Sequence, residues 1–406
     1  MDDPFDVCVV GGAGHVGLPL AIVLATRGLR TLIYDLDKPA MGCLALGAMP
    51  FVEEGAEPLL KDVLTKGMLG LTADPADLRH IPYIVITIGT PVDEFHNPKV
   101  RVLTDCIDSL LPNLSDTQTL ILRSTVCPGT TDYVHRYLES HGKKIKVAFC
   151  PERVVQGLAV REIQALPQIV SGTTPEAEDA AEDLFARIAP KILRLRPKEA
   201  ELAKLFSNAY RYIQFAAANQ FYMIAESAGL DYARLFAALK DDYPRMRDLP
   251  GPGFAAGPCL YKDTLQLVSH CDNEFRLGHA AIQVNEGLPA FVVSDLSARY
   301  RLEDTTVGLL GMAFKADSDD VRGSLSYKLR KLLRVRAKRV LTTDPFVKGD
   351  ADVRPLGQVI DESDMLILCV PHSVYAGLDL KGKPIVDIWQ FFPRPATEGS
   401  GRDDGR

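Results

Sequence analysis

Short apolar runs recur along the first 150 positions: DVCVV from Asp6, TLIYD from Thr31, YIVITIG from Tyr83, TLILRST from Thr119 and KVAFC from Lys146, with helix-compatible segments between them. That pattern predicts a parallel sheet wrapped by helices. It returns near the C-terminus in TTVGLLG, KRVLTTD, DMLILCV and KPIVDI, which predicts a second, smaller α/β domain. Between the two, residues 198–229 carry no proline and no internal glycine, and at 1.5 Å per residue they predict one helix of about 45 to 50 Å. Its apolar positions, among them Leu202, Leu205, Phe206, Ala209, Ile213, Phe221 and Ile224, cover more than one face. Such a helix serves as an inter-domain spine, as a subunit interface, or as both. The fold expected is α/β, two Rossmann-like doubly wound domains joined by a long central helix. The expected divisions are 1–197, 198–297 and 298–392, followed by a polar, Gly- and Pro-rich tail at 393–406 expected to be disordered.

Composition narrows the class. The chain has 406 residues, 47% hydrophobic and 24% charged, the make-up of an ordinary globular protein long enough for two or three cores. A net charge of −7 without any long run of Lys and Arg speaks against nucleic acid or an anionic membrane as partner, so an anionic substrate has to be met by a local basic pocket. The start MDDPFDVCVVGG is acidic where a signal peptide is basic, and no stretch approaches the roughly 18 apolar residues of a membrane span. A cytoplasmic protein is expected. Eight cysteines without a CxxC pair fit reduced thiols, with Cys8, Cys150 and Cys369 expected as small core residues. The histidines show neither HxH nor HExxH spacing, so no metal is indicated.

In DVCVVGGAGHVG, residues Gly12, Gly14 and Gly17 stand in G-x-G-x-x-G spacing after a strand and at the mouth of a helix, with His15 and Val16 between the last two. Asp35 closes the next strand, 21 residues beyond Gly14. Glycines permit the tight turn and the approach of pyrophosphate to a helix N-terminus, and the carboxylate accepts from ribose hydroxyls. An acid there selects NAD over NADP, whose 2′-phosphate it would repel. A FAD site is the competing reading of the same fingerprint.

The segment RDLPGPGFAAGPCLYKDT, Arg247 to Thr264, sets Cys259 behind a flexible loop of small residues, with Lys262 and Asp263 just beyond. A nearby cation favours thiolate, and small residues let a substrate reach the sulfur; a turn with a partly buried cysteine is the alternative. Lys204 and Asn208 stand at i and i+4 on one helix face, and spacing alone makes Lys204 a solvated charge. On spacing alone Glu152 and Asp263 are equally helix caps or surface acids.

The motifs GGAGHVG, PFVEEG (50–55), IGTPVDE (88–94), RSTVCPGTT (123–131), CPERVVQG (150–157), ELAKLFSNAYR, GPGFAAGPCLYKD and GMAFKADSDDVRGS (311–324) together resemble, in order and over nearly the whole chain, the UDP-glucose, UDP-N-acetylmannosamine and GDP-mannose dehydrogenase family. The resemblance implies a four-electron oxidation of a nucleotide-sugar C6 hydroxyl to the uronic acid with two molecules of NAD, for polysaccharide precursor synthesis. It casts Cys259 as the nucleophile that carries a thioester. Lys204 and Asn208 would stabilise oxyanion character, Asp263 assist proton transfer, Glu152 serve thioester hydrolysis and Thr125 hold the catalytic water. Thr90, Ser124, Thr125 and Lys315 join the glycine turn around the cofactor. Glu152, Arg153, Lys204, Asn208, Arg247, Gly253, Phe314, Lys315 and Arg322 face the nucleotide sugar, with Asp317 and Asp319 organising the last loop. A homodimer is implied as well.

Ala255 and Ala256 stand where the family often has glycine, which bears on sugar choice. RSTVCPGTT and CPER look more like the bacterial N-acetylhexosamine branch. A β-hydroxyacid-type dehydrogenase and a catalytically silent sugar-nucleotide-binding protein are the competing readings. The first leaves the second α/β domain unexplained, and the second leaves Cys259, Lys204, Asn208 and Asp263 without a task.

Overall fold

The computed structural model of the protein describes residues 5–93 and 99–393; Glu94 of the IGTPVDE motif and the tail beyond Pro393 lie outside them. The chain forms two compact units, one of Met1–Arg211 with Cys259–His279 and the other of Tyr212–Pro258 with Ala280–Arg406.

The first unit is built on eight strands: β1 (Val7–Val10), β2 (Thr31–Tyr34), β3 (Leu69–Thr72), β4 (Tyr83–Ile86), β5 (Thr119–Leu122), β6 (Lys146–Phe149), β7 (Gln168–Gly172) and β8 (Ile192–Arg194). They lie in the order β3-β2-β1-β4-β5-β6-β7-β8, and every neighbouring pair is parallel except β6 with β7. From β3 to β6 this is the dinucleotide-binding order, with its switch point between β1 and β4. All five apolar runs of the N-terminal pattern form strands. The pattern missed β3, β7 and β8, whose sequences LGLT, QIVSG and ILR are short or interrupted by glycine and polar residues.

The helix Gly17–Thr26 shows why a sequence apolar all round folds only in an interior. GLPLAIVLA is buried at nine consecutive positions, packed on β1 and β2 and under the helices Ala56–Thr65 and Ala159–Ile163. Each aliphatic side chain removed from water there contributes about 1.5 to 3 kcal/mol, and a charge has no solvated face to occupy. Cys8 and Cys150 are fully buried in the two layers of this core, as expected.

The second unit holds β9 (Thr306–Leu310), β10 (Arg339–Thr343), β11 (Met365–Leu368) and β12 (Ile385–Asp387), all parallel, in the order β10-β9-β11-β12. Its core joins Leu309, Ile367 and Cys369 of this sheet to Leu288, Val292 and Leu296 of the helix Arg276–Arg299. The predicted spine is a single helix, Pro197–Ser227. Proline opens it, where a missing N–H costs nothing, and Gly229 stops it at φ 69°. The fold is the expected one: two Rossmann-like α/β domains and a long central helix. Among the described residues no helix is long and apolar enough to cross a membrane.

Candidate active site

The turn between β1 and the first helix is shaped by four glycines, one more than the fingerprint names. Gly11 takes φ 74° and donates to Tyr34 O at 2.9 Å, so it, not Gly12, makes the left-handed step that only glycine takes readily. A Cβ on Gly12 would lie 2.7 Å from Val9 O, and one on Gly17 would lie 2.6 Å from both Gly11 O and Thr87 Oγ1. A Cβ on Gly14 would meet nothing nearer than Gly11 O at 3.5 Å, and Gly14 is exposed. The turn is thus closed on its protein side and open at Gly14, the cradle a pyrophosphate requires. Asp35 follows β2, half-buried, and accepts from the N–H groups of Ala13 at 2.9 Å and Asp37 at 3.0 Å. Its remaining lone pairs fit ribose hydroxyls, and its charge disfavours a 2′-phosphate. His15 lies with its ring centroid 3.9 Å from that of Phe51 and its Nδ1 3.1 Å from Gln156 Nε2. Buried Glu53 accepts from Gly157 N–H at 2.9 Å, and Glu54 N–H donates to Gly157 O at 3.0 Å. The glycine turn, PFVEEG and CPERVVQG therefore form one network.

The loops after β4 and β5 are laced together. Thr90 Oγ1 donates to Thr125 O at 2.6 Å, and Ser124 Oγ donates to Ile88 O at 2.6 Å. Thr125 lies three residues past the end of β5 rather than in it. Lys262 reaches the same place, its Nζ 3.1 Å from Thr90 O and 3.4 Å from Asp263 Oδ1.

Cys259 is exposed and N-caps the helix Leu260–His270, where free N–H groups and the helix dipole favour thiolate. Asp263, one turn on, is fully buried, and its Oδ2 accepts from Asn208 Nδ2 at 2.6 Å. That carboxylate is anchored rather than solvated, and it fixes the amide of Asn208. On the spine helix Lys204 is only 8% exposed and makes no ion pair or hydrogen bond among the described residues. It is not the solvated charge that spacing alone implies. A buried ammonium without a fixed anion is costly until an anionic or oxyanionic ligand arrives. Glu201, on the same helix, accepts from the N–H groups of Gly129 and Thr131 and so caps the helix Thr130–Ser140; burial raises its pKa.

Glu152 is committed. Its Oε2 accepts from Arg123 Nη2, and its Oε1 accepts from the N–H groups of Arg153 and Val154 at 2.6 and 2.9 Å. Arg123, 1% exposed, also donates to Cys150 O and Gln168 Oε1 and packs over Phe185. Arg123 passed unnoticed in the sequence because its partners lie 27 to 45 residues away. Arg153 donates through Nη2 to Pro167 O.

In the second unit the loop before Cys259 is held rather than flexible. Asn219 accepts from Gly253 N–H at 2.8 Å and donates to Gly253 O at 3.0 Å and to Asn285 Oδ1 at 2.9 Å, while Asn285 donates to Tyr212 O. Both amides are fully buried. Asn219 lies eleven residues, three helical turns, beyond Asn208 on the spine, a spacing that could have flagged it. A Cβ on Gly253 would lie 2.5 Å from Trp389, and one on Gly257 2.5 Å from Phe314. Phe254 and Ala255 are buried in the core, so the small residues serve close packing. Arg322 pairs with Asp320, from Nη2 to Oδ2 at 2.6 Å, where Asp319 was the expected organiser. Asp317, at φ 52°, accepts from Ser373 N–H at 2.8 Å. Arg247 is exposed beside the short turn Pro244–Met246.

A sheet with this switch point, an open glycine cradle, an exposed cysteine at a helix N-cap position and a buried lysine define a dinucleotide-dependent dehydrogenase. Residues 5–189, 198–287 and 308–394 match in turn the NAD binding domain, the central domain and the UDP binding domain of the UDP-glucose/GDP-mannose dehydrogenase family. The chain belongs to that family and is an NAD-dependent nucleotide-sugar dehydrogenase. It is 29% identical to a UDP-N-acetyl-D-mannosamine dehydrogenase of Pyrococcus horikoshii over 97% of this chain and 98% of that one. Among solved structures, the UDP-D-ManNAc dehydrogenase of Pyrococcus horikoshii superposes with a TM-score of 0.88 at 27% identity over 97% of each chain. A UDP-glucose dehydrogenase of Pyrobaculum islandicum gives 0.87 at 28% identity over 95% of this chain and 94% of that one. The three consecutive matches, which include a UDP binding domain, set aside the β-hydroxyacid alternative.

Proposed function

We propose that this protein oxidises the C6 hydroxyl of a UDP-N-acetylhexosamine to the carboxylate without releasing the aldehyde, and that Cys259 carries the acyl group. The observation that carries this reading is the grouping on the first unit of an exposed, helix-capping Cys259 with the buried Lys204 and the Asp263-anchored Asn208. NAD, when bound, accepts a hydride in each of the two oxidation steps. Lys204 and Asn208 donate to the sugar oxygen as it takes on negative charge, and the alcohol's proton passes to solvent water as the aldehyde forms. The Cys259 thiolate adds to the aldehyde carbon, and the resulting alkoxide, held by the same donors, loses the second hydride to leave a thioester. Water held near Thr125 then attacks, releasing the uronic acid and the thiol. Glu152, with one lone pair of Oε2 still open beside its bond from Arg123, accepts from that water and orients it.

Phe314, Lys315, Arg322, Arg247 and Gly253 are assigned to the nucleotide sugar, and Arg153 shapes the 150–157 loop through Pro167. The N-acetylmannosamine names of the Pyrococcus relatives support the N-acetylhexosamine assignment. The Pyrobaculum neighbour supports UDP-glucose as a second reading. A homodimer is proposed on the apolar groove formed by Phe221, Ile224, Leu230, Leu235 and Leu239, of which Ile224 is 58% exposed. Eight free cysteines fit a cytoplasmic setting.

The deciding measurement counts NADH formed per sugar consumed with UDP-ManNAc, UDP-GlcNAc, UDP-glucose and GDP-mannose. About two NADH per N-acetyl sugar is the expected outcome of an acyl-enzyme route. One per sugar, or full acid formation by Cys259→Ala, overturns it, and two with UDP-glucose alone transfers the assignment to that sugar.

A further inference from the structure

His372 has no place in the chemistry above, yet it is a fully buried histidine in the second unit. Its Nδ1 accepts from the backbone N–H of Asp317 at 3.0 Å, and its Nε2 lies 3.1 Å from Asp344 Oδ2. An amide N–H can only donate, so Nδ1 bears the lone pair and the ring proton sits on Nε2, pointed at the carboxylate. Phe346 and Tyr375 pack on the ring at centroid distances of 5.1 and 5.5 Å. The tie to Asp317 is reciprocal: Asp317 Oδ1 accepts from Ser373 N–H at 2.8 Å and Ser373 Oγ at 2.9 Å, and lies 3.9 Å from His372 Nδ1. Asp317 is a non-glycine residue at φ 52°, a conformation that needs such support. It lies two residues past Lys315 and three past Phe314.

We propose that His372 is a positioning residue for nucleotide-sugar binding. Its Nδ1 lone pair pins Asp317 in the left-handed conformation and so sets the backbone path that presents Phe314 and Lys315, while Nε2–H braces the ring on Asp344. This rests on the reading that these two loop residues meet the nucleotide sugar.

Asparagine can place an acceptor oxygen where Nδ1 stands, and glutamine can place a donor where Nε2 stands, so the two halves of the ring separate in the full-length enzyme. His372→Gln is expected to raise KM for the UDP-sugar about tenfold with kcat within about twofold, whereas His372→Asn keeps KM near wild type. A role confined to folding would move melting temperature in both variants and KM in neither, or KM equally in both, and either result overturns the proposal. Lys315→Ala is the companion: if it raises KM while the two His372 variants behave alike, the positioning role fails and the binding reading stands. If Lys315→Ala leaves KM unchanged, the binding reading fails and takes this one with it. Should the variants not fold, nitrogen-15 spectra of histidine-labelled wild type decide, because a buried ring protonated on Nδ1 is incompatible with the proposal.

Discussion

The loops after β1 and after β9 occupy the same place in two Rossmann-like sheets and begin alike. Gly11 and Gly311 both take positive φ, 74° and 95°, and each donates to the last residue of the neighbouring strand, Tyr34 O and Thr343 O. Each loop is also met by an aspartate just beyond that strand. Asp35 gives the first loop one bond, to Ala13 N–H, and stays half-buried. The Asp344 side chain is fully buried and accepts from Met312, Ala313, Phe346 and Val347 N–H groups and from His372. One carboxylate keeps lone pairs for a ligand, and the other has spent them on its own loop. Topology supplies the position; burial decides whether the acid recognises or builds.

The strongest challenge to this contrast is Asp344→Asn, which leaves buried donors facing an amide. It is expected to cost on the order of 3 kcal/mol in denaturant unfolding, while Asp35→Asn stays within about 0.5 kcal/mol; equal losses would break the distinction. Within the first turn, Gly17→Ala drives a methyl to 2.6 Å from Gly11 O and is expected to cost about 2 kcal/mol. Gly14→Ala leaves the melting temperature unchanged and weakens NAD binding by titration.

Acid sharpens the comparison further. Burial raises the Asp344 pKa, but the bonds from His372, Met312 and Ala313 outweigh it and hold the carboxyl at about 2, below its ordinary 3.8. The stabilisation is fully present above about pH 4 and lost as pH falls through 2, about 2 kcal/mol in all. The gap in unfolding free energy between wild type and Asp344→Asn should therefore narrow by about 2 kcal/mol as pH falls from about 4.5 to below about 2, and a constant gap would contradict the assignment. Asp35→Asn, with its small effect on stability, has as its signature a rise of about tenfold in KM for NAD and a narrower preference over NADP.

How much of this was legible in the sequence follows from the range of the interactions. The glycine turn was readable because strand, turn, helix and acid lie within 29 residues, Val7 to Asp35. The five N-terminal runs and those of β9 and β11 stood out because central parallel strands are apolar on both faces; β3, with its Gly70, and the short β8 do not. Cys259 was singled out by its small-residue loop and the nearby Lys262, but a functional role for Lys204 and Asn208 came only through resemblance, since nothing in a periodic helix announces that Lys204 is buried. Arg123, Asn219, Asp344 and His372 were missed because each acts on a residue 28 to 55 positions away, or on another element altogether. Glu152 and Asp263, equally helix caps or surface acids on spacing alone, are acids engaged in holding neighbours, Arg123 and the 153–154 backbone for the one and Asn208 for the other.

The two units are interleaved along the chain. Residues 212–258 belong to the second unit and intervene before Cys259–His279 returns to the first. During synthesis, therefore, the dinucleotide-binding half emerges without Cys259 or the carboxylate that secures Asn208, and it must wait for that helix. No single cut yields either half as one contiguous fragment. Evolution by swapping whole domains is correspondingly barred here, because exchanging one half for a foreign one would need splices at three points rather than one.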